Sequence, residues 1–254
     1  MARTNYFATE LPRRFAHRGL SEHRDDIDEN SIAAFEAALL AGATHIESDT
    51  HSTSDGHAVL FHDDSLDRVA GVSRDISELT LNELKAIRLR YGSEIPTLEE
   101  VLVAFPEVHL NLDIKSKMAI EPTVRAIERH QAHDRVLVSS FSERRRQQAL
   151  SLLTKPVATS ASMALVVMAW LSHQFAFGYG FQRITRDIDA FQIPVGKGLV
   201  RLATRGFIQR AKRSNTEVHF WTINSPDQMR ALLELGADGI VTDRVDLLTN
   251  LNKS

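Results

Sequence analysis

Four short stretches carry the side chains with which this sequence could do chemistry: Phe15-Ala16-His17-Arg18-Gly19, Ile46-Glu47-Ser48-Asp49, Leu60-Phe61-His62-Asp63 and Asn111-Leu112-Asp113-Ile114-Lys115. They supply two imidazoles (His17, His62), three carboxylates (Glu47, Asp49, Asp113) and two cations (Arg18, Lys115). That set suits a metal-assisted attack on a phosphodiester. An imidazole's ordinary pKa lies near neutrality, so His17 and His62 are candidates for general base and general acid, with the two roles left undivided. Three carboxylates in a dry pocket repel one another and raise each other's pKa unless a cation sits among them. All-oxygen ligation selects Mg²⁺, Ca²⁺ or Mn²⁺ over zinc. Arg18, as a planar fork, and Lys115, as a point charge, can hold phosphate oxygens. A strand lysine could instead form a Schiff base with a carbonyl substrate, but the carboxylates would then have no purpose.

These residues need a scaffold that brings distant segments together at one end. Glu47 and Asp49 are two apart, so on a strand they leave the same face about 7 Å apart; the same parity joins Asn111, Asp113 and Lys115. Runs of strand type at 14–17, 45–49, 109–114, 135–139, 157–159, 190–193, 217–222 and 239–242 alternate with helical patterns at 31–41, 97–105, 120–130, 143–153, 202–213 and 226–235. Eight strands separated by helices predict an α/β fold, a (β/α)8 TIM barrel, for which 254 residues is an ordinary length. An open doubly wound sheet is the alternative, but Gly19 is followed by no Gly-x-x-Gly continuation. No linker or low-complexity stretch divides the chain, so 1–254 reads as a single domain, with 56–96 as a small cap inserted after strand 2. Ala41-Gly42-Ala43-Thr44-His45-Ile46-Glu47-Ser48-Asp49 echoes Leu235-Gly236-Ala237-Asp238-Gly239-Ile240-Val241-Thr242-Asp243. Both read as helix, glycine cap and strand ending in aspartate, which places Asp49 and Asp243 at carboxyl ends of strands.

Apolar residues make up 43% and charged residues 25% of the chain, values that favour a globular domain over disorder. A net charge of −3 provides no broad attraction for nucleic acid or an anionic membrane, so phosphate binding has to be local. With no cysteine there is no disulfide, thiolate metal site or cysteine nucleophile. Residues 1–14 contain no apolar run of signal-peptide length, and the apolar run 163–171 is far short of the roughly 20 residues that span a bilayer. A cytoplasmic protein without stable membrane insertion is expected. Of the other histidines, His23, His51, His57, His130 and His133 are assigned to the surface or the satisfied core.

The motifs in this order resemble the glycerophosphodiester phosphodiesterase family over nearly the whole chain. Besides the four stretches above, the resemblance covers Glu29-Asn30-Ser31, Asp55-Gly56, Asp63-Asp64-Ser65-Leu66-Asp67-Arg68, Pro96-Thr97-Leu98-Glu99-Glu100, Ser139-Ser140-Phe141, Phe220-Trp221-Thr222-Ile223-Asn224 and the Asp243 segment. It implies hydrolysis of glycerophosphodiesters to sn-glycerol 3-phosphate and an alcohol, assisted by one divalent cation, Mg²⁺ or Ca²⁺ with Mn²⁺ as a third choice. Carried over by position, His17 and His62 are the acid/base pair, and Glu47, Asp49 and Asp113 hold the metal. Arg18 and Lys115 hold the phosphate, Trp221 lines the glycerol pocket, and Glu29 belongs to the substrate contacts. The chain departs from the family pattern at Asp28-Glu29-Asn30-Ser31, where many members have Pro-Glu-Asn-Thr, and at Asp113, where many have the longer Glu. Two rivals remain. One is phospholipase D-type hydrolysis of lysophospholipids at the same site, with the run 163–171 as a lipid-facing ledge instead of a helix packed on the barrel. The other is a non-catalytic barrel that binds phosphorylated ligands.

Overall fold

Local sequence signals start the elements where the alternating pattern requires them. The Ser31 hydroxyl accepts from Ala34 N at 3.1 Å and caps a helix over Ile32–Leu40. Thr80 and Thr97 each form a reciprocal capping box, with Glu83 and Glu100 respectively. Gly236, at φ +111°, ends the helix Pro226–Leu235 in the left-handed conformation that glycine adopts without a Cβ penalty.

The computed structural model describes residues 4–22, 26–197 and 200–251; His23 lies outside them. In chain order the elements are β1 (Arg13–His17), α1 (Ile32–Leu40), β2 (His45–Ser52), β3 (Ala58–Leu60), α2 (Asp67–Ala70), α3 (Leu81–Ala86), α4 (Leu98–Ala104), β4 (His109–Ile114), α5 (Ile120–Arg129), β5 (Val136–Ser139) and α6 (Glu143–Leu152). They continue as β6 (Ala158–Thr159), α7 (Met163–Phe175), α8 (Phe181–Thr185), β7 (Ala190–Ile193), β8 (Gly196–Lys197), β9 (Val200–Arg201), α9 (Arg205–Arg213), β10 (Glu217–Phe220), α10 (Pro226–Leu235), β11 (Gly239–Thr242) and α11 (Val245–Leu251). Parallel strands run β6-β5-β4-β2-β1-β11-β10-β7, and a parallel bridge between Ser160 and Ala190 joins the two ends. This is the expected (β/α)8 barrel.

Strand alternation divides the core. Outward-facing Ala16, Ile46, Leu110, Leu112 and Val138 pack under α1, α4 and α5, while Phe191, Ile193, Val218, Phe220 and Ile240 pack under α7, α9 and α10. The inward side of the barrel floor is unusually polar. Buried Arg13 donates to both oxygens of Glu217 (2.8 and 3.2 Å), and Glu217 also accepts from the buried His219 ring at 2.9 Å. Burial resists ionisation of Glu217, but His219 and Arg13 hold its carboxyl down at about 2. Phe15 lies between the rings of His45 and His219, and Tyr6 closes the floor against His45 and His109.

Between β2 and α4 the chain leaves the barrel. β3 folds back antiparallel on β2, and Val59, Phe61, Leu66, Ile76, Leu79, Leu84, Leu89 and Ile95 form a separate apolar cluster. The excursion is therefore hinged on β2 itself, which runs on to Ser52 past the predicted end at 49.

The turn that ends β1 depends on Gly19. Its φ is +87°, and a Cβ there would meet Ala34 backbone carbon at 2.7 Å, so α1 can approach the strand end only over a glycine. Gly19→Ala is expected to cost more than about 1 kcal/mol. An unchanged denaturant midpoint would contradict this account of the turn.

Candidate active site

Parallel register puts the chemical side chains level. His17 pairs with Glu47 and Glu47 with Asn111; one step further toward the carboxyl ends, Asp49 pairs with Asp113 and Asp113 with Ser139. Alternation turns them inward at the end of the barrel where active sites form. There a cavity of about 260 Å³ is lined by His17, Arg18, Glu47, Asp49, His62, Asp113, Lys115 and Trp221. His62 reaches it from the segment after β3. Asn111, Ser139, Phe141, Met163, Val166 and Gln192 also form the wall.

The charges in this cavity are strongly coupled. Lys115 Nζ is 2.6 Å from Asp49 Oδ1 and 3.1 Å from Asp113 Oδ2, and Arg18 Nε is 3.9 Å from Asp49 Oδ2. Burial pulls the lysine pKa down, but the two carboxylates outweigh it and hold Lys115 above its ordinary value. Burial raises the Asp113 carboxyl, with Asp49 adding to the rise and Lys115 opposing it. Glu47 is the least compensated: burial and then the charges of Asp49 and Asp113 push it to about 7 against the pull of His17 and Arg18. Glu47 Oε2, Asp49 Oδ2 and Asn111 Oδ1 are buried without a hydrogen-bond partner among the described residues, as is the donor Arg18 Nε. Orphaned hard-oxygen acceptors beside raised carboxyls fit a divalent cation; the orphaned guanidinium donor fits an oxyanion.

Both histidines are held through Nδ1. His17 Nδ1 lies 2.6 Å from Asp243 Oδ1, and His62 Nδ1 lies 2.6 Å from Asp63 Oδ1. Ionised carboxylates only accept, so each Nδ1 carries the proton, leaving Nε2 of each ring for chemistry. Burial lowers the His17 pKa, but Glu47 and Asp243 outweigh it and raise it above the ordinary value. Asp243 in turn is held at about 2, since His17 and Asn224 overcome its burial.

Residues 17–247 match the glycerophosphoryl diester phosphodiesterase family. The chain belongs to that family. A Mycobacterium tuberculosis relative named "Probable glycerophosphodiester phosphodiesterase 2" is 43% identical over 237 residues, covering 93% of this chain and 89% of the relative. The glycerophosphodiester phosphodiesterase of Agrobacterium tumefaciens superposes with a TM-score of 0.77 at 19% identity, covering 94% of this chain and 98% of that one. An Oleispira antarctica phosphodiesterase, solved in complex with the product sn-glycerol-3-phosphate, gives 0.74 at 24% identity, covering 96% and 98%. These two structures share the barrel. Family membership makes the chain a phosphoric diester hydrolase and sets aside the non-catalytic reading.

Within this phosphodiesterase, eight of the nine sequence-assigned site residues meet at the cavity; Glu29 does not line it. Its oxygens accept from Arg18 (3.1 Å) and Arg68 (2.6 and 2.8 Å), so it braces the Arg18 guanidinium. Asp63 and Asp243 carry no role in the sequence reading, although both sit inside quoted motifs. Asn224 is a further such residue. It donates to Asp243 Oδ2 at 2.7 Å while its own oxygen accepts from Thr242 Oγ1 and Asp243 N, both at 3.0 Å. Of the histidines set aside, buried His133 pairs with Glu128, and buried His51 donates to the His62 carbonyl at 3.2 Å.

Asp243 acts as a positioning residue for His17. Asp243→Asn is expected to lower kcat about 10–100-fold and, by removing a charge that raises the His17 pKa, to move the limb of the pH–rate profile governed by His17 toward lower pH. A profile superimposable on the wild type would contradict the assignment.

Proposed function

We propose that the chain hydrolyses glycerophosphodiesters to sn-glycerol 3-phosphate and an alcohol, with His17 and His62 as the acid/base pair. The observation that carries this reading is the pair of imidazoles, each clamped at Nδ1 by a carboxylate 2.6 Å away, on the wall of one cavity with a carboxylate and cation cluster. Arg18 and Lys115 bind the non-bridging phosphate oxygens, and Trp221 offers an apolar wall to the glycerol carbons. One histidine accepts the proton of the attacking hydroxyl through Nε2. The other donates its proton to the departing alkoxide. Glu47, Asp49 and Asp113 are assigned to one divalent cation, Mg²⁺ or Ca²⁺, which when bound offsets negative charge developing on the phosphate. The attacking hydroxyl is that of water, which gives the monoester directly, or that of the neighbouring glycerol carbon, which expels the alcohol and leaves a cyclic phosphate that water then opens to glycerol 3-phosphate.

Phe141, Ala161, Met163 and Val166 make part of the wall apolar, and this favours lysophospholipids as a second substrate reading. Glycerophosphocholine and lysophosphatidylcholine, assayed side by side for release of the phosphorylated product, separate the two. The glycerophosphodiester is expected to turn over faster.

His17→Ala and His62→Ala are each expected to lower the rate about 10²–10⁴-fold with the thermal transition retained. Near-normal turnover in both variants, or no glycerol 3-phosphate from any glycerophosphodiester, would overturn the reading.

A further inference from the structure

One outer helix of the barrel is apolar on the side that faces away from it. α7 buries Val166 and Ala169 against the barrel, as an outer helix should. Its opposite face carries Met163, Val167, Leu171 and Phe175, spaced four apart, with Met168 beside them, and all are exposed. The turn that follows adds two more rings: Phe175 is 73%, Phe177 95% and Tyr179 89% exposed. The 13 residues of the helix make this strip about 18 Å long from first to last. Single exposed apolar residues are ordinary on a protein surface; a continuous strip with three exposed rings at its end is not.

The strip begins at the active site. Met163 N donates to the Phe141 carbonyl at 3.3 Å, and both residues line the cavity. From there α7 runs down the outside of the barrel.

Cations flank the strip. Residues 161–213 contain eight Lys and Arg against two Asp and Glu, a net charge of +6 in a chain of net −3, so the remainder carries −9. Arg183 is exposed on α8, which packs on α7. Arg205 is exposed at the start of α9, where the Phe207 ring meets His173 of α7 at 5.7 Å. Arg210 donates to the Phe177 carbonyl. Arg183, Arg205 and Arg213 form no ion pair among the described residues.

We propose that α7 and the turn after it form a docking face for an anionic lipid bilayer, on which the enzyme rests peripherally with the cavity mouth at the rim of the contact. Apolar side chains enter the boundary between headgroups and acyl chains, and the flanking arginines meet the anionic headgroups. The occupant follows from the charge distribution. Arg183 and Arg205 are exposed on the helices beside α7, in a stretch of net +6 within a chain of net −3, so an anionic plane is attracted to this side more than to the rest of the molecule. A helix of 13 residues is too short to cross a bilayer, and among the described residues no helix is long and apolar enough to do so.

The test is co-sedimentation of the full chain with vesicles of phosphatidylcholine alone and with one-third phosphatidylglycerol, at low and high salt. Two double variants are compared: Val167→Gln with Leu171→Gln, and Arg183→Glu with Arg205→Glu. Wild-type protein is expected to pellet with the anionic vesicles, at least about tenfold less with phosphatidylcholine alone, and to be released by salt. Each double variant is expected to lose binding about tenfold or more while turning over soluble glycerophosphocholine at the wild-type rate. Equal partition onto neutral vesicles, absence of binding, or undiminished binding of both variants would overturn the proposal. So would a homodimer in light scattering that the Val167/Leu171 variant dissociates, because a second copy would then be the occupant.

Discussion

The mouth of this barrel is built around an electrostatic conflict: Glu47, Asp49 and Asp113 are buried together, and burial with the neighbouring negative charge raises the Glu47 and Asp113 carboxyls. The chain resolves part of it internally. Lys115 lies against Asp49 and Asp113, and Arg18 lies against Asp49, so two of the three carboxylates have a cationic neighbour within 4 Å. Among the described residues Glu47 has no such neighbour apart from His17 Nε2 at 3.9 Å, and its carboxyl is pushed to about 7. The remaining acceptors, Glu47 Oε2 and Asp49 Oδ2, are buried with no hydrogen-bond partner among the described residues. An assembly that leaves its own charge unbalanced in this way is suited to a ligand that balances it: a hard cation for the carboxylates and a phosphate for the guanidinium and ammonium.

The rest of the scaffold sets that arrangement. Parallel register across β1, β2 and β4 levels His17 with Glu47 and Asp49 with Asp113, and Gly19 lets the chain turn away from the strand end within contact of α1. Behind the histidines, Asp63 and Asp243 fix which ring nitrogen is protonated, and Asn224 fixes Asp243. Behind Arg18, Glu29 holds the guanidinium and is itself held by Arg68. The barrel floor solves a different problem with the same means, enclosing Arg13, Glu217 and His219 in one hydrogen-bonded group sealed by Tyr6.

The parts of this that were legible in the sequence are those set by period and by strand ends. Alternation within Ile46-Glu47-Ser48-Asp49 and Asn111-Leu112-Asp113 reports directly on which side chains share a face, and each of the eight predicted strands has a counterpart in the barrel. What the sequence did not reveal depends on contacts between segments far apart in the chain. Asp243 is 226 positions from His17, so its hydrogen bond follows only from β1 and β11 being neighbours in the closed barrel. The bonds that Glu29 accepts from Arg68 were hidden likewise, because Arg68 comes from the excursion after β2. Composition concealed the charge asymmetry, because a net −3 averages a basic stretch around α8 and α9 with an acidic remainder. The run 163–171 shows the limit of pattern reading in another way: a helix apolar on both faces looks the same in sequence whether its second face is buried or exposed.

The central claim is tested most directly by titrating Mg²⁺, Ca²⁺ and Mn²⁺ into protein stripped by exhaustive chelation, following ion binding and phosphodiester turnover in the same samples. The account predicts one divalent site, loss of turnover in the stripped protein with recovery in proportion to occupancy, and weakened binding in Glu47→Gln and Asp49→Asn. Full turnover by the stripped protein, or ion binding indifferent to both substitutions, would contradict it.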